Sequence, residues 1–128
     1  GFSTDNKYLK RAGLDYWHLV TVHYHDRFDE VLEMYPNRTF YFCSTKASRT
    51  HCDVAYPPDA FLVFGKESAG LPHDLLAAHR DRTIRIPMAS GARSLNLSNA
   101  VAVVAYEALR QNNFSALQCV GIGFSAEP

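Results

Sequence analysis

Three stretches of this 128-residue chain gather residue types that can handle a ligand: Cys43-Ser44-Thr45-Lys46, Gly65-Lys66-Glu67-Ser68-Ala69-Gly70, and the run from Pro87 and Met88 through Gly91, Arg93 and Ser94 to Asn99. Glycine lets backbone approach a ligand closely. Ser94, Asn96, Ser98 and Asn99 fall where a helix begins, so side-chain amides and hydroxyls meet free backbone N–H groups there. Arg93 could clamp a phosphate or bond loop carbonyls. Glu67 could act as a general base, accept from amides, or simply be solvated. The GKESAG stretch is neither a Walker A loop nor a dinucleotide fingerprint, because the flanking glycine frame is missing. No Ser-His-Asp order or Cys-His motif stands out. His23 and His25 form an HxH pair without a third ligand at recognisable spacing, so no metal is expected. Lys7, Lys10 and Arg11 share one helical face, which reads either as solvated surface or as a phosphate-contacting stripe.

The elements that must position these residues alternate in type. Residues 4–12 predict a helix capped by Thr4 or Asp5 and stopped by Gly13, and residues 17–23 predict a β-rich run. Residues 26–35 predict an amphipathic helix with Phe28, Val31, Leu32 and Tyr35 inward, ended by Pro36. Strands are expected over 38–44, 60–64 and 83–86, with a loop over 45–58 and a short helix over 73–79 after Pro72. The apolar run at 60–64 suits a strand covered on both faces. A final helix carries Leu95, Leu97, Ala100, Val101, Val103, Val104, Ala105 and Leu109 around nearly its whole circumference, which predicts a buried helix. Strands alternating with helices give an α/β domain with a mostly parallel sheet flanked by helices, whose strand ends open onto a ligand crevice.

Size and charge bound the function. At 128 residues and 47% hydrophobic, the chain is expected to be one domain. No run of about 18 apolar residues supports a membrane span. Cys43, Cys52 and Cys119 are an odd count without a CxxC pair, which fits reduced thiols in a cytoplasm. Thirteen basic and thirteen acidic side chains give zero formal charge. A nucleic-acid partner would therefore need a local basic patch.

Taken one at a time, each loop is explained by ordinary turns. Taken together, FGKESAGLP at 64–72 and IPMASGARSLNLSNAVAVVAYEALRQ at 86–111 resemble motifs two and three of the SPOUT RNA methyltransferases. Within them, the chain is similar to the small single-domain tRNA 2′-O-methyltransferases that act on the wobble nucleotide, and GFSTDNKYLKRAGLDYW matches a further segment of those enzymes. The resemblance implies a C-terminal deep trefoil knot, a homodimer packed through the knotted region, and S-adenosylmethionine bound within it. It places Cys43, Gly65, Ile86, Met88, Ser94 and Asn99 at the cofactor. Glu67, Arg93 and Asn96 fall near the reacting ribose of a tRNA cytidine or modified uridine at position 34, and Lys7, Lys10 and Arg11 on the RNA. The family's first motif, an NTGNxxR-like segment on an N-terminal strand-helix-strand, has no counterpart in these 128 residues, so a piece of a longer protein is one expectation. Methylation of another tRNA or rRNA site, and a non-catalytic RNA-binding or dimerisation fragment, are the alternatives. Residues 119–128 lie beyond the resemblance.

Overall fold

The computed structural model describes residues 19–123. The chain divides into two compact units, Gly1–Asn37 and Arg38–Pro128. In the first, helix α1 spans Phe28–Met34, with Asp29 and Glu30 in its first turn where the helix dipole favours negative charge. Glu30 lies 3.5 Å from His25 Nδ1. Phe28, Val31, Leu32 and Tyr35 are half-buried while Asp29, Glu33 and Met34 are exposed, the division their spacing predicts. The strand expected over 17–23 is absent from its described part, 19–23: Leu19 and Val20 are exposed and pair with no strand. β-branched side chains favour a strand only where a ladder partner exists. The expected helix at 4–12, with Lys7, Lys10 and Arg11, lies outside the described residues, as do Tyr16 and Trp17.

The second unit is built on a four-stranded sheet, β1 Phe40–Cys43, β2 Arg49–Thr50, β3 Phe61–Val63 and β4 Thr83–Arg85, in the order β2-β4-β1-β3. Every pairing is parallel, with Phe40 opposite Phe61, Cys43 opposite Ile84 and Arg49 opposite Ile84. Strand β2 was not expected, because two residues at a sheet edge carry no apolar pattern. Side chains alternate along β1. Tyr41 joins Ile84, Val54, Tyr56 and Val104 in the core cluster, and Cys43 packs against it. Phe40 and Phe42 point the other way, Phe40 stacking on Phe61 at 4.5 Å and Phe42 on His79 at 4.6 Å. His79 follows α2, His73–Ala78.

Helix α3, Leu97–Gln111, starts at Asn96, whose side chain accepts from the backbone N–H groups of Ser98 and Asn99. The predicted all-round burial of this helix is not what a single chain shows. Val104 is 1% exposed against the sheet, whereas Val103 is 40% and Tyr106 60% exposed. One sheet face can cover only one side of a cylinder, so the apolar residues on the other side stay open.

The C-terminal end of α3 is tied to the loop after β2 by directed polar contacts. Gln111 donates to Val54 O at 2.9 Å and accepts from Tyr56 N at 3.0 Å, while Asn112 donates to Tyr56 O at 2.9 Å. Arg110 forks onto both carboxylate oxygens of Glu107, at 2.9 and 3.0 Å, and Gln111 adds a third donor at 2.8 Å. The Arg110 bonds first, then Gln111, hold the Glu107 carboxyl at about 2, below its ordinary 4.5. A depressed acid contributes stability that is complete above its unfolded value and is lost as pH falls toward the folded one. We expect the melting-temperature gap between the parent chain and Glu107→Gln to be constant above pH 4.5 and to narrow between 4.5 and 2. Melting curves measured across that window check this, and a gap that does not narrow removes the ion-pair explanation.

Candidate functional site

Because β1, β3 and β4 run parallel, their C-terminal ends emerge on one side, where α/β sheets bind ligands. Their extensions, with residues 87–96 and the first turns of α3, enclose a cavity of about 490 Å³. That volume falls within the roughly 300–1,000 Å³ typical of small-molecule sites. Ile84, Ile86, Leu76, Ala100 and Val104 supply apolar wall, and Lys46, Lys66, Glu67 and Arg93 line the more open part.

The first extension is a compact turn. Ser44 N–H donates to Ile84 O at 2.9 Å, Ser44 Oγ accepts from Lys46 N–H at 3.1 Å, and Arg85 donates to Thr45 O at 3.0 Å. Cys43, just before it, is half-buried, and burial pushes its thiol up to about 12. The cavity therefore meets a neutral, weakly polar S–H rather than a nucleophilic thiolate.

The second extension depends on glycine. Gly70 N–H donates to Lys66 O at 2.8 Å, and Gly70 has φ +69°, a conformation costly for other residues. This folds the loop back so that a Cβ on Gly65 would overlap the backbone of Gly70 and Leu71. Glu67, at the tip, makes no hydrogen bond or ion pair among the described residues, so both its oxygens are open to solvent or ligand.

The third extension reaches α3 through a turn at Gly91, with φ +92°, closed by Ala92 N–H to Ala89 O at 3.1 Å. Asn96 Oδ1 then accepts from Ser98 N at 2.9 Å, Asn99 N at 3.3 Å and Ser98 Oγ at 2.6 Å. Its carbonyl oxygen is thereby committed to capping the helix.

Of the residues singled out from the sequence, Cys43, Gly65, Ile86, Met88, Ser94, Glu67, Arg93 and Asn96 all line this one cavity. Asn99 does not: one turn into the helix, it contributes its backbone N–H to the Asn96 cap. Lys46, named with the end of its strand, also lines the cavity, as do Arg85 and Leu76, which were not singled out. The strand-end rule reached Lys46, three positions past Cys43, but Leu76 carried no signal beyond helical spacing. Lys46, Lys66, Arg85 and Arg93 face a single lining carboxylate, Glu67, so a local basic excess exists on a chain of zero net charge. Among the described residues no cluster of His, Cys, Asp or Glu could hold a metal ion, and no helix is long and apolar enough to cross a membrane.

A parallel sheet with a glycine-closed cavity at its strand ends defines an α/β small-molecule site beside a basic surface. The chain belongs to the SpoU rRNA Methylase family, whose sequence profile matches residues 1–106. The tRNA (cytidine(34)-2′-O)-methyltransferase of Escherichia coli K12 is 44% identical over 87% of this chain and 71% of its own length. A Bacillus subtilis protein provisionally given the same activity is 49% identical over 92% of this chain and 76% of its own. A solved structure described as giving insight into 2-OH methylation of C/U34 on tRNA superposes with TM-score 0.79 at 42% identity, covering 89% of this chain and 74% of that one.

The packing at Gly65 yields a direct test. Gly65→Ala should destabilise the chain by about 1–3 kcal/mol, because the added methyl meets backbone rather than a movable side chain. Urea denaturation measures it, and unchanged stability would contradict the close approach.

Proposed function

We propose that this cavity binds S-adenosylmethionine and that the chain directs methylation of the ribose 2′-hydroxyl of the tRNA wobble nucleotide, cytidine or modified uridine at position 34. The observation that carries the reading is that the loops at 64–72 and 86–96, distant in sequence, close around one cavity with the end of β1. The walls suit the cofactor: apolar surface and a neutral thiol for an adenine, and main chain at Gly65 and Ile86 close enough for its polar edges. Cys43, Gly65, Ile86, Met88 and Ser94 would hold it. Bound there, the cofactor supplies an electrophilic sulfonium methyl.

The chain's own residues must bring the ribose oxygen in line and remove its proton. Glu67, unpaired beside the cavity, is the group whose carboxylate oxygen can take that proton. Arg93, on the opposite loop, can hold the adjoining RNA phosphate through its guanidinium fork. Asn96 contributes by fixing the loop through its cap, and Lys7, Lys10 and Arg11 would contact RNA. The proposal includes the deep trefoil knot and the homodimer. The position of β4 between β1 and β2, strands that precede it, is compatible with a threaded chain. Val101, Val103 and Tyr106, apolar and exposed on α3, support a second copy as their cover. A cytoplasmic location follows from a tRNA substrate.

The family takes its name from rRNA, which favours a ribosomal target as the second reading. Incubation with labelled S-adenosylmethionine and total RNA, followed by nuclease mapping, should place label on the wobble ribose. Label confined to rRNA would overturn the tRNA assignment, and calorimetry showing no cofactor binding would overturn the enzyme. We expect Ser94→Trp to abolish cofactor binding by filling the cavity; unchanged affinity would remove Ser94 from the site. Val103→Glu with Tyr106→Glu should sediment as a monomer where the parent sediments as a dimer, and an unchanged dimer would move the interface elsewhere.

A further inference from the structure

A second cavity, of about 410 Å³, adjoins the first, and Lys46 and Leu76 line both. Its polar lining is Lys46, Ser48, His73 and Arg80, all exposed, together with buried Thr83, and Leu76, buried, and Ala77, exposed, add apolar surface. No carboxylate lines it. None of the four exposed polar side chains makes a hydrogen bond or ion pair among the described residues, whereas Thr83 donates to His79 O at 2.8 Å and neighbouring Arg49 and Arg85 are both committed to backbone carbonyls. The turn after β1, held by Ser44, carries Lys46 between the two cavities.

We infer that this groove seats a phosphodiester of the RNA strand next to the nucleotide whose ribose enters the first cavity. Lys46 and Arg80 supply the charge, Ser48 and His73 supply donors, and Leu76 and Ala77 pack against the sugar. A free inorganic anion would use the rim alone. The apolar surface of Leu76 and Ala77 and the shared wall at Lys46 fit a polymer that continues from one cavity into the next, with phosphates for position and the first cavity for chemistry. The inference rests on the reading of the first cavity as the methylation site.

The test uses His73→Gln with Arg80→Gln, since neither residue lines the first cavity. The probe is the tRNA fraction that accepts label from the parent chain. Cofactor affinity should stay within about twofold, KM for tRNA should rise about tenfold, and the slope of log affinity against log salt should flatten by about 0.7 for each phosphate that is no longer neutralised. Arg80→Lys, which keeps the charge, should restore most of the slope. As a second variant, Ala77→Glu should weaken tRNA binding by setting a carboxylate in the groove. Unchanged KM and salt slope in the double variant and in Ala77→Glu overturn the groove while leaving methylation standing. If the parent labels no RNA, the methylation reading falls and the groove with it.

Discussion

Ile84 is wholly buried because β4 lies inside the sheet, with β1 on one side and β2 on the other. Its side chain shares the core cluster with Val104 of α3, its carbonyl receives Ser44 N–H, and it forms part of the cavity wall. Sheet, helix and site thus meet at one residue. A smaller side chain there would leave a void under α3, and large-to-small core changes of this kind cost about 2–5 kcal/mol. The same void would loosen the turn that carries Lys46. In this chain the stability of the core and the shape of the site are one packing problem.

The cavity is made of backbone as much as of side chains. Gly65 has no room for a Cβ, Gly70 occupies the left-handed region, and Asn96 spends its carbonyl on helix amides. Such groups shape and stiffen a site without titrating. The groups that do carry charge, Lys46, Lys66, Glu67 and Arg93, sit in its exposed lining, where a charged polymer can arrive with little desolvation. Cys43 fits the same division: burial keeps its thiol neutral at the apolar end. The apolar wall suits an aromatic ring and the polar lining suits a polyanion.

The strands at 40–43 and 61–63 were legible as aromatic or apolar runs, the one at 83–85 less so because Ile84 stands between Thr83 and Arg85, and the parallel arrangement followed from the alternation of strands with helical segments along the chain. The site was legible only in part. Gly65, Ser94 and Arg93 stand out by type, yet nothing in their spacing says that they surround one space; the resemblance of two separated stretches supplied that. Strand β2 and the lining role of Leu76 were not legible, since a two-residue edge strand has no period and Leu76 looks like any inward helical leucine. The β-rich run expected over 17–23 misled in its described part, because β propensity says nothing about whether a partner strand exists.

Helix α3 shows where periodicity reaches its limit. Its apolar residues encircle it, which means that every side needs cover, but not that one chain provides it. The sheet covers the side of Val104 and Ala108, and the polar end is tied down by Gln111 and Asn112. Val103 and Tyr106 remain exposed beside an N-terminal turn that lines the cavity. A second copy covering them, as proposed, would come to rest within a few residues of the cavity, and assembly and substrate fit would then be coupled through a single helix. Such an exposed apolar face in an otherwise packed unit is what the proposed second copy would cover.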